Sequence, residues 1–515
     1  MTGAEVLVKT LLASGVDTVF ANPGTSEMHF VAALDSHPQM RCVLCLFEGG
    51  VTGAADGYAR MTGKPAGTLL HLGPGFGNGW ANLHNARKGS SPLVNVVGDH
   101  AGYHLQYDAP LTADLDGVAG SVSHWLRRVS DADSIAEDGA AAVRAARSHG
   151  GQVATLILPA DSAWGESGAT PVAASPPAPL HRPDPQRVAA AAEALARPGA
   201  VLLLGGAALY GKTAEVAGQI AARTGCRLVA QFFATRIDRG AGAVAIEQLP
   251  YPVEDCVAAL AGTRHMVCVG EAPPVAFFAY PGLPSTPEPA GATTDRLAPA
   301  DWDICWTLDE IARAAGVSDR DIPARVASVR PDRPEGRLDA DKVGRVLARH
   351  LPDGAIVVNE ALTAGPGIWP HVDRAAGHTR VNNTGGSIGM ALPATIGVAI
   401  ACPERPVVTV SGDGSAMYQV QSLWTMARER LDVTVLIMSN GGYRILHGEL
   451  DHLGLPPAGQ NASAMFDITG PGLDWVALAR GHAVPGERVQ TASELEAALE
   501  QAKAVDGPFL IEAML

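Results

Sequence analysis

Two short polar loops in the last third of the chain have the residue types of a metal site. They read SGDGS at 411–415 and SNGGY at 439–443, and each directly follows a run of Val, Leu and Ile. The carboxyl ends of neighbouring parallel strands meet at one edge of a sheet, so we expect Asp413, Asn440 and the carbonyl groups around Gly442 to converge. Oxygen ligands of this kind suit Mg²⁺, which completes its shell with water and phosphate oxygens.

The segment after the first loop is predicted to be a helix from near Ser415 to about Arg428. Its first N–H groups and its dipole would face the same loops, which favours a bound diphosphate. Either GDG or NGG alone is typical of a tight turn. Because the two occur 27 residues apart and both follow strands, together they indicate a site for a metal and a diphosphate.

Three further strand ends lie near the start of the chain. Glu48 follows the run 41–47, which is predicted to be a buried strand, and His71 follows the next run. Pro23 and Thr25 lie in a loop after an earlier one. A carboxylate at the end of a buried strand costs free energy unless it has a partner or a role. Taken singly, Glu48 also fits a salt-bridged structural acid, and His71 a histidine of the core.

The elements that position these residues form a repeating pattern. Short apolar runs alternate with Ala-rich segments of helical length, which predicts parallel strands covered on both faces. The Pro-rich segments 170–185 and 329–339 read as linkers. We therefore predict an α/β protein of three domains with mainly parallel sheets flanked by helices, at 1–169, 186–328 and 340–515.

Composition excludes several other classes. With 47% hydrophobic and 18% charged residues the chain is not disordered, and its net charge of −15 argues against nucleic acid as a partner. No apolar run reaches the ~20 residues needed to cross a bilayer, and no signal peptide is evident, so we expect a cytoplasmic protein without a membrane partner. The seven Cys do not suggest a disulfide framework, and Cys42 and Cys45 are expected to pack in the core.

Taken together, the motifs resemble the thiamine-diphosphate-dependent 2-oxo acid decarboxylase and carboligase family, which includes acetolactate (acetohydroxyacid) synthase large subunits and benzoylformate decarboxylase. The matching segments are ANPGTSE at 21–27, FEGGVTGAADGYAR at 47–60, HLGPGFGN at 71–78, NTGGSIGMALPATIG at 383–397 and GDG to SNGGY at 412–443. The resemblance implies a pyrimidine-binding domain, a Rossmann-like middle domain and a diphosphate domain, with thiamine diphosphate and Mg²⁺ as cofactors. It leaves open whether the middle domain binds FAD, as that of acetohydroxyacid synthases does.

The resemblance also implies roles for individual residues. Glu48 would hydrogen-bond the aminopyrimidine ring and promote the tautomer that removes the C2 proton, and His71 matches an active-site histidine of the aryl-2-oxo acid decarboxylases. Ser439 stands where the family usually has a first Asn. Asp413, Asn440 and Gly442 would bind the metal. The full set expected at the cofactor is Pro23, Thr25, Glu48, Thr363, Gly386 (by its carbonyl), Ser387, Ile388 (which would bend the cofactor), Gly412, Asp413, Gly414, Ser415, Asn440, Gly442 and Tyr443.

Glu48 and Asp413 are 365 residues apart, yet both must contact one cofactor. In the family, the first domain of one subunit faces the third domain of another. The resemblance therefore implies at least a homodimer, with dimer or tetramer left open.

The expected substrate is a small-molecule 2-oxo acid. Ile445 is predicted to line the acyl pocket, and a β-branched residue there favours a small donor such as pyruvate. Phe277 and Phe278 stand where the aryl decarboxylases carry a histidine. The first hypothesis is therefore decarboxylation with carboligation, as in acetolactate synthase. The alternatives are a non-ligating decarboxylase of the benzoylformate type and a noncatalytic cofactor-binding paralogue.

One motif competes with this hypothesis. GAALYGKT at 206–213 fits the pattern of a phosphate-binding P-loop and follows an apolar run. Leu209 and Tyr210 are bulky where such loops favour small residues, so we expect no nucleotide site there.

Overall fold

The computed structural model describes all residues from Met1 to Leu515. In chain order the strands are β1 Thr18–Ala21, β2 Arg41–Leu44, β3 Ala66–Leu70, β4 Leu93–Asp99, β5 Trp125–Arg128, β6 Val153–Pro159, β7 Ala200–Leu204, β8 Arg227–Ala230, β9 Arg236–Arg239, β10 Glu247–Gln248, β11 His265–Val269, β12 Thr293–Ala298, β13 Ala355–Glu360, β14 His378–Asn382, β15 Val407–Gly412, β16 Val433–Ser439, β17 Gly486–Val489 and β18 Phe509–Met514.

Twenty α-helices connect and cover the strands. They are α1 Gly3–Ala13, α2 Met28–Asp35, α3 Glu48–Thr62, α4 Leu72–Lys88, α5 Leu115–Gly120, α6 Ile135–Arg147, α7 Ala160–Trp164, α8 Pro185–Leu195, α9 Gly211–Thr224, α10 Val253–Ala259, α11 Ile304–Ala315, α12 Ala340–His350, α13 Gly365–Val372, α14 Ala391–Ala401, α15 Asp413–Met417, α16 Ser422–Arg428, α17 Arg444–His452, α18 Gln460–Phe466, α19 Trp475–Gly481 and α20 Ala492–Ala504.

The first sheet has the strand order β2-β1-β3-β4-β6-β5 and is parallel throughout. Because β2, β1 and β3 are neighbours, the loops that follow them meet at one edge, as predicted. The run 41–47 was expected to be a buried strand, and this is wrong. β2 is a short strand at the edge of the sheet, and its first two residues, Arg41 and Cys42, are exposed. A strand at the edge of a sheet has a neighbouring strand on one side only, so its other side is less covered.

The second sheet has the order β10-β8-β7-β11-β12 and is also parallel. The third has the order β17-β18-β16-β15-β13-β14-β9. Its last strand, β9, comes from the middle of the chain and pairs antiparallel with β14, while the other strands are parallel. The predicted fold class, mainly parallel sheets flanked by helices, is confirmed. The domain boundaries stay a prediction.

Helices α3 and α14 pack closely enough to join the first and last parts of the chain. A Cβ added to Gly397 would lie 1.8 Å from the carbonyl oxygen of Ala54, and one added to Gly57 would lie 2.2 Å from that of Ala394. Only glycine allows the two backbones to approach this far. Residues of both helices belong to one core cluster of 43 buried residues. None of the helices is both long and apolar enough to cross a bilayer.

Candidate active site

The edge formed by β2, β1 and β3 brings His71 onto the loop after β1. His71 precedes the first residue of α4, and its ring fills the space that a side chain at Gly24 would need, with Nδ1 2.1 Å from a Cβ built there. Pro23 and Thr25 flank this glycine, and Thr25 begins a short 3-10 turn. The structure therefore places Pro23, Thr25 and His71 together, as expected.

Two residues of this cluster, Ser26 and Glu27, were not predicted from the sequence. Glu27 is buried, and its Oε2 lies 2.9 Å from Nδ1 of His71. The Oγ of Ser26 lies 3.3 Å from the same nitrogen and donates to Oε1 of Glu27 at 2.5 Å. Both residues stand in the quoted motif ANPGTSE, so the resemblance already contained a signal for them. A carboxylate on Nδ1 leaves Nε2 of His71 free to exchange a proton with a ligand.

Glu48 is buried at the first turn of α3. Asn78 of α4 donates its Nδ2 to Oε2 of Glu48 at 3.0 Å. Oε1 accepts no hydrogen bond from the chain and lies 3.0 Å from the position of a Cβ on Gly75, which also lies beside Cβ of His71. Glu48 and His71 therefore flank the same turn of α4, with one carboxylate oxygen of Glu48 left without a partner.

The predicted metal ligands also come together, between the ends of β15 and β16. Oδ2 of Asp413 accepts the N–H groups of Asn440 at 3.0 Å and Gly441 at 2.7 Å, and its Oδ1 accepts that of Gly414 at 2.8 Å. Oδ1 of Asn440 accepts the N–H of Gly442 at 3.1 Å. Burial raises the pKa of Asp413, and these backbone N–H groups oppose the shift.

The chemistry of these donors fits Mg²⁺. A carboxylate, a side-chain amide and backbone carbonyls are hard oxygen donors. The chain has no cluster of three or more His, Cys, Asp or Glu able to hold a metal ion by itself. A cation at Asp413 would therefore be bound by one carboxylate with neutral oxygen ligands, and a diphosphate would add further charged oxygens.

The secondary structure after this loop differs in part from the prediction. The helix expected from Ser415 to Arg428 is two helices, α15, which already begins at Asp413, and α16. Gly412 ends β15 and Ser415 lies within α15. The ring of Tyr443 covers Gly414, with Cε1 2.6 Å from a Cβ built there.

Gly386, Ser387 and Ile388 lie in an irregular loop between β14 and α14. Gly386 and Gly389 have φ of +81° and +89°, a conformation that favours glycine. Beyond the loop, Glu360 is fully buried and accepts the N–H of Met390 at 2.9 Å. Burial raises the pKa of Glu360 to about 7.

A cavity of about 750 Å³ opens beside this loop. Thr363, Gly386, Ile388 and Ile445 are among its lining residues, and the aromatic side chains on its wall are Phe232, Phe233, Tyr251, Phe277 and Trp369. Glu48, His71 and Asp413 do not line it. Within one chain, the predicted site residues therefore form three groups, around Glu48, around Asp413 and around Ile388.

An acidic side chain from strand β9 contacts the P-loop-like motif where a phosphate would bind. The N–H of Gly211, at the start of α9, donates to Oδ2 of Asp238 at 3.0 Å. A carboxylate on this N–H would repel a phosphate.

The seven cysteines are all free. Cys45 is buried and Cys42 is exposed, contrary to the expected core packing of Cys42.

Comparison with known proteins agrees with the motifs. Residues 1–119 match the family model described as "Thiamine pyrophosphate enzyme, N-terminal TPP binding domain", and residues 369–513 match its C-terminal TPP binding domain. The chain is 46% identical over 520 residues to a Mycobacterium tuberculosis protein named "Putative acetolactate synthase large subunit IlvX", covering 100% of this chain and 99% of that one.

Two further relatives are decarboxylases by name. Benzoylformate decarboxylase of Pseudomonas aeruginosa is 31% identical over 533 residues, covering 97% of this chain and 96% of its own. The solved structure of a thiamine diphosphate-dependent 4-hydroxybenzoylformate decarboxylase from Rhodococcus jostii RHA1 superposes with a TM-score of 0.86 at 26% identity, covering 100% and 99% of the two chains. Matches over the whole length, together with the paired TPP-binding models, show that the chain belongs to the thiamine-pyrophosphate-dependent enzyme family.

Proposed function

We propose that the chain decarboxylates a 2-oxo acid with a bulky apolar acyl group, using thiamine diphosphate and Mg²⁺. The observation that carries this proposal is the set of aromatic side chains on the wall of the cavity beside Ile388. When bound, thiamine diphosphate supplies the electron sink that lets a 2-oxo acid lose carbon dioxide. The chain's own residues must bind it, orient it and exchange protons.

In this proposal, the Asp413 loop holds the metal and the diphosphate. Asp413, Asn440 and the carbonyl of Gly442 would bind Mg²⁺. The Tyr443 ring limits the space over Gly414. Ser415 and Thr363 are proposed at the diphosphate, as the resemblance implies.

Glu48 would hold a proton for the pyrimidine end of the cofactor. Its Oε1 has no partner in the chain, while Asn78 fixes Oε2. A buried carboxylate with one oxygen free can accept and return a proton without competition from water. The intact Glu48, Asp413 and Asn440 argue against a noncatalytic paralogue.

His71 would exchange a proton with the substrate or product. Glu27 on Nδ1 orients the ring and favours the tautomer with its proton on that nitrogen. Nε2 then remains as the acceptor.

The wall of the cavity bears on the identity of the donor. Ile445 and five aromatic side chains lie on it, beside the residues proposed to contact the cofactor, so the cofactor fills part of the volume and the wall, not the volume, informs the choice of donor. Apolar walls of this kind favour an apolar group by burying its surface. The aromatic wall therefore supports a donor with a large apolar group rather than the small donor predicted from Ile445.

Carboligation in the manner of acetolactate synthase is the second candidate. It is supported by the relative with 46% identity, which is named as a putative acetolactate synthase large subunit. FAD binding in the middle of the chain and a cytoplasmic location stay predictions.

The deciding experiment supplies thiamine diphosphate, Mg²⁺ and either benzoylformate, phenylpyruvate or pyruvate, and follows carbon dioxide and the organic product. Glu48→Gln serves as the inactive control. An aldehyde from an aromatic 2-oxo acid supports the first proposal. Acetolactate from pyruvate supports the second candidate. Release of no carbon dioxide from any acid by protein that has bound the cofactor would overturn both.

A further inference from the structure

The loop that carries Ile388 is held by a side chain from the first part of the chain. Asn85 is fully buried in the last turns of α4. Its Nδ2 donates to the carbonyl of Ser387 at 2.9 Å, and its Oδ1 accepts the N–H of Ser387 at 3.2 Å. One amide thus satisfies both backbone groups of the residue between Gly386 and Ile388.

The same turn of α4 makes two more contacts with the loop. The backbone carbonyl of Asn85 accepts the hydroxyl of Thr384 at 2.7 Å, and Nε2 of His84 lies 3.1 Å from the carbonyl oxygen of Gly385. A Cβ added to Gly385 would lie 2.6 Å from Oδ1 of Asn85, so the loop backbone rests directly on the asparagine.

An irregular loop cannot satisfy its own backbone by a regular hydrogen-bond pattern, and buried N–H and C=O groups need partners. Within the loop, the side chain of Asn383 provides some of these partners. It accepts the N–H of Gly386 at 2.7 Å and donates to the carbonyl of Ser387 at 2.6 Å. Asn85 is the only side chain that binds both backbone groups of Ser387. Its loss would leave the partly buried N–H of Ser387 without its partner in the chain, which favours rearrangement of the loop.

We propose that Asn85 is a positioning residue, which sets the Gly386 carbonyl and the Ile388 side chain for the cofactor without touching it. This inference rests on the proposed function, because it takes the loop to contact the ring end of thiamine diphosphate. The proposal predicts weaker binding of the ring end of the cofactor alone, because the loops around Asp413 are proposed to bind the diphosphate end.

The test uses Asn85→Ala and Asn85→Asp in the full chain. The aspartate keeps the size of the side chain and the acceptor for the Ser387 N–H, but it places a carboxylate against the Ser387 carbonyl. The matched control is Asn95→Ala. Asn95 is an equally buried asparagine that bonds Thr68 and Thr155 inside the first sheet, away from the loop.

Two measurements separate positioning from general stability. The first is amide hydrogen exchange of the peptide 383–391 in the protein without cofactor. The second compares the affinity for thiamine diphosphate with that for inorganic diphosphate, both with Mg²⁺ present. We expect faster exchange in both Asn85 variants, with affinity for thiamine diphosphate lowered about ten- to a hundredfold and affinity for inorganic diphosphate unchanged. The Asn95 variant should unfold at lower urea but keep both affinities.

Equal loss of both affinities, or no loss of either, would overturn the proposal. The aspartate variant decides the matter if the alanine variant does not fold. Unmodified protein that fails to bind thiamine diphosphate would refute the proposed function itself. If the unmodified protein binds and decarboxylates while the Asn85 variants match it, only the role of Asn85 is lost.

Discussion

Glu48 and Ser387 are held by the same helix at positions seven residues apart. Asn78 of α4 donates to Glu48, and Asn85 of α4 holds Ser387. Seven residues of α-helix rise about 10 Å. The two contacts therefore lie about two turns apart on one helix of the same chain. That a second copy supplies the Asp413 loop to each centre stays a prediction of the family resemblance.

Mixing two inactive variants tests this arrangement. Glu48→Gln and Asp413→Asn should each lack activity alone, because each removes one half of every centre. Co-expressed in equal amounts, they should recover about a quarter of normal activity, since half of random dimers are mixed and each holds one intact centre. Co-expression of two Glu48→Gln chains with different tags is the control. A mixture as inactive as its parents would place both residues in one chain's own centre.

Glu48→Gln should slow exchange of the C2 proton of bound thiamine diphosphate by about a hundredfold or more, because the amide cannot accept the proton that the carboxylate holds. Proton NMR of the cofactor in deuterated buffer, quenched at intervals, measures the rate. The matched variant Glu137→Gln, at an exposed site of α6, should exchange normally. Normal exchange in the Glu48 variant would mean that another group promotes the tautomer that removes the C2 proton.

Asn440→Ala should weaken Mg²⁺-dependent binding of thiamine diphosphate by at least about tenfold, since even an outer-shell partner of a metal contributes that much. Calorimetric titration of the apoprotein with Mg²⁺, at a fixed concentration of thiamine diphosphate, compares the affinities of the variant and the unmodified protein. Asn461→Ala, at an exposed position of α18, is the control. If both variants titrate alike, Asn440 is not a ligand.

Two parts of the site could be predicted from the sequence, because each depends on which residues directly follow a strand. GDG and NGG follow their strands directly, and parallel neighbours place strand ends at one edge, so Asp413 and Asn440 meet as expected. The loops of Pro23, Glu48 and His71 follow from the same rule. Burial of the run 41–47 could not be predicted, because it depends on strand order, which places β2 at the edge.

Arg60→Met should destabilise the protein by about 3–5 kcal/mol, because it leaves the carboxylate of Asp56 buried without its charge partner. Arg60 binds Asp56 through two nitrogens at 2.6 and 2.8 Å and reaches the carbonyl of Asn382 at 2.6 Å. Urea unfolding followed by tryptophan fluorescence measures the loss. Arg313→Met, which breaks an exposed pair on α11, should change little. A similar midpoint for both would show that the buried pair contributes nothing.

Glu360 should make stability fall as pH rises. Burial raises its pKa in the folded protein from 4.5 to about 7, so the folded state holds the proton more tightly than the unfolded chain. The free energy of unfolding is therefore highest below the lower value and decreases by roughly 3 kcal/mol toward the upper one. Glu360→Gln should flatten this part of the profile, measured by urea unfolding at a series of pH values. An unchanged slope would assign it to other groups.

The contacts that hold the candidate site were not predictable in the same way. Asn85 and Ser387 are 302 residues apart, and Arg60 and Asn382 are 322 apart. No local pattern marks a polar residue whose partner is so distant. Glu27 and Asn78 are different, because both stand inside motifs that carried the family resemblance.

The shared packing of α3 and α14 makes the middle of the chain an insertion rather than a bridge. Residues from both ends of the sequence fill one core, so the linkers at 170–185 and 329–339 are not what keeps those ends together. Strand β9 likewise ties the inserted part to the third sheet without any linker. A protease that cut at either linker would therefore leave a nicked protein that still migrates as one particle and separates into fragments only in denaturant.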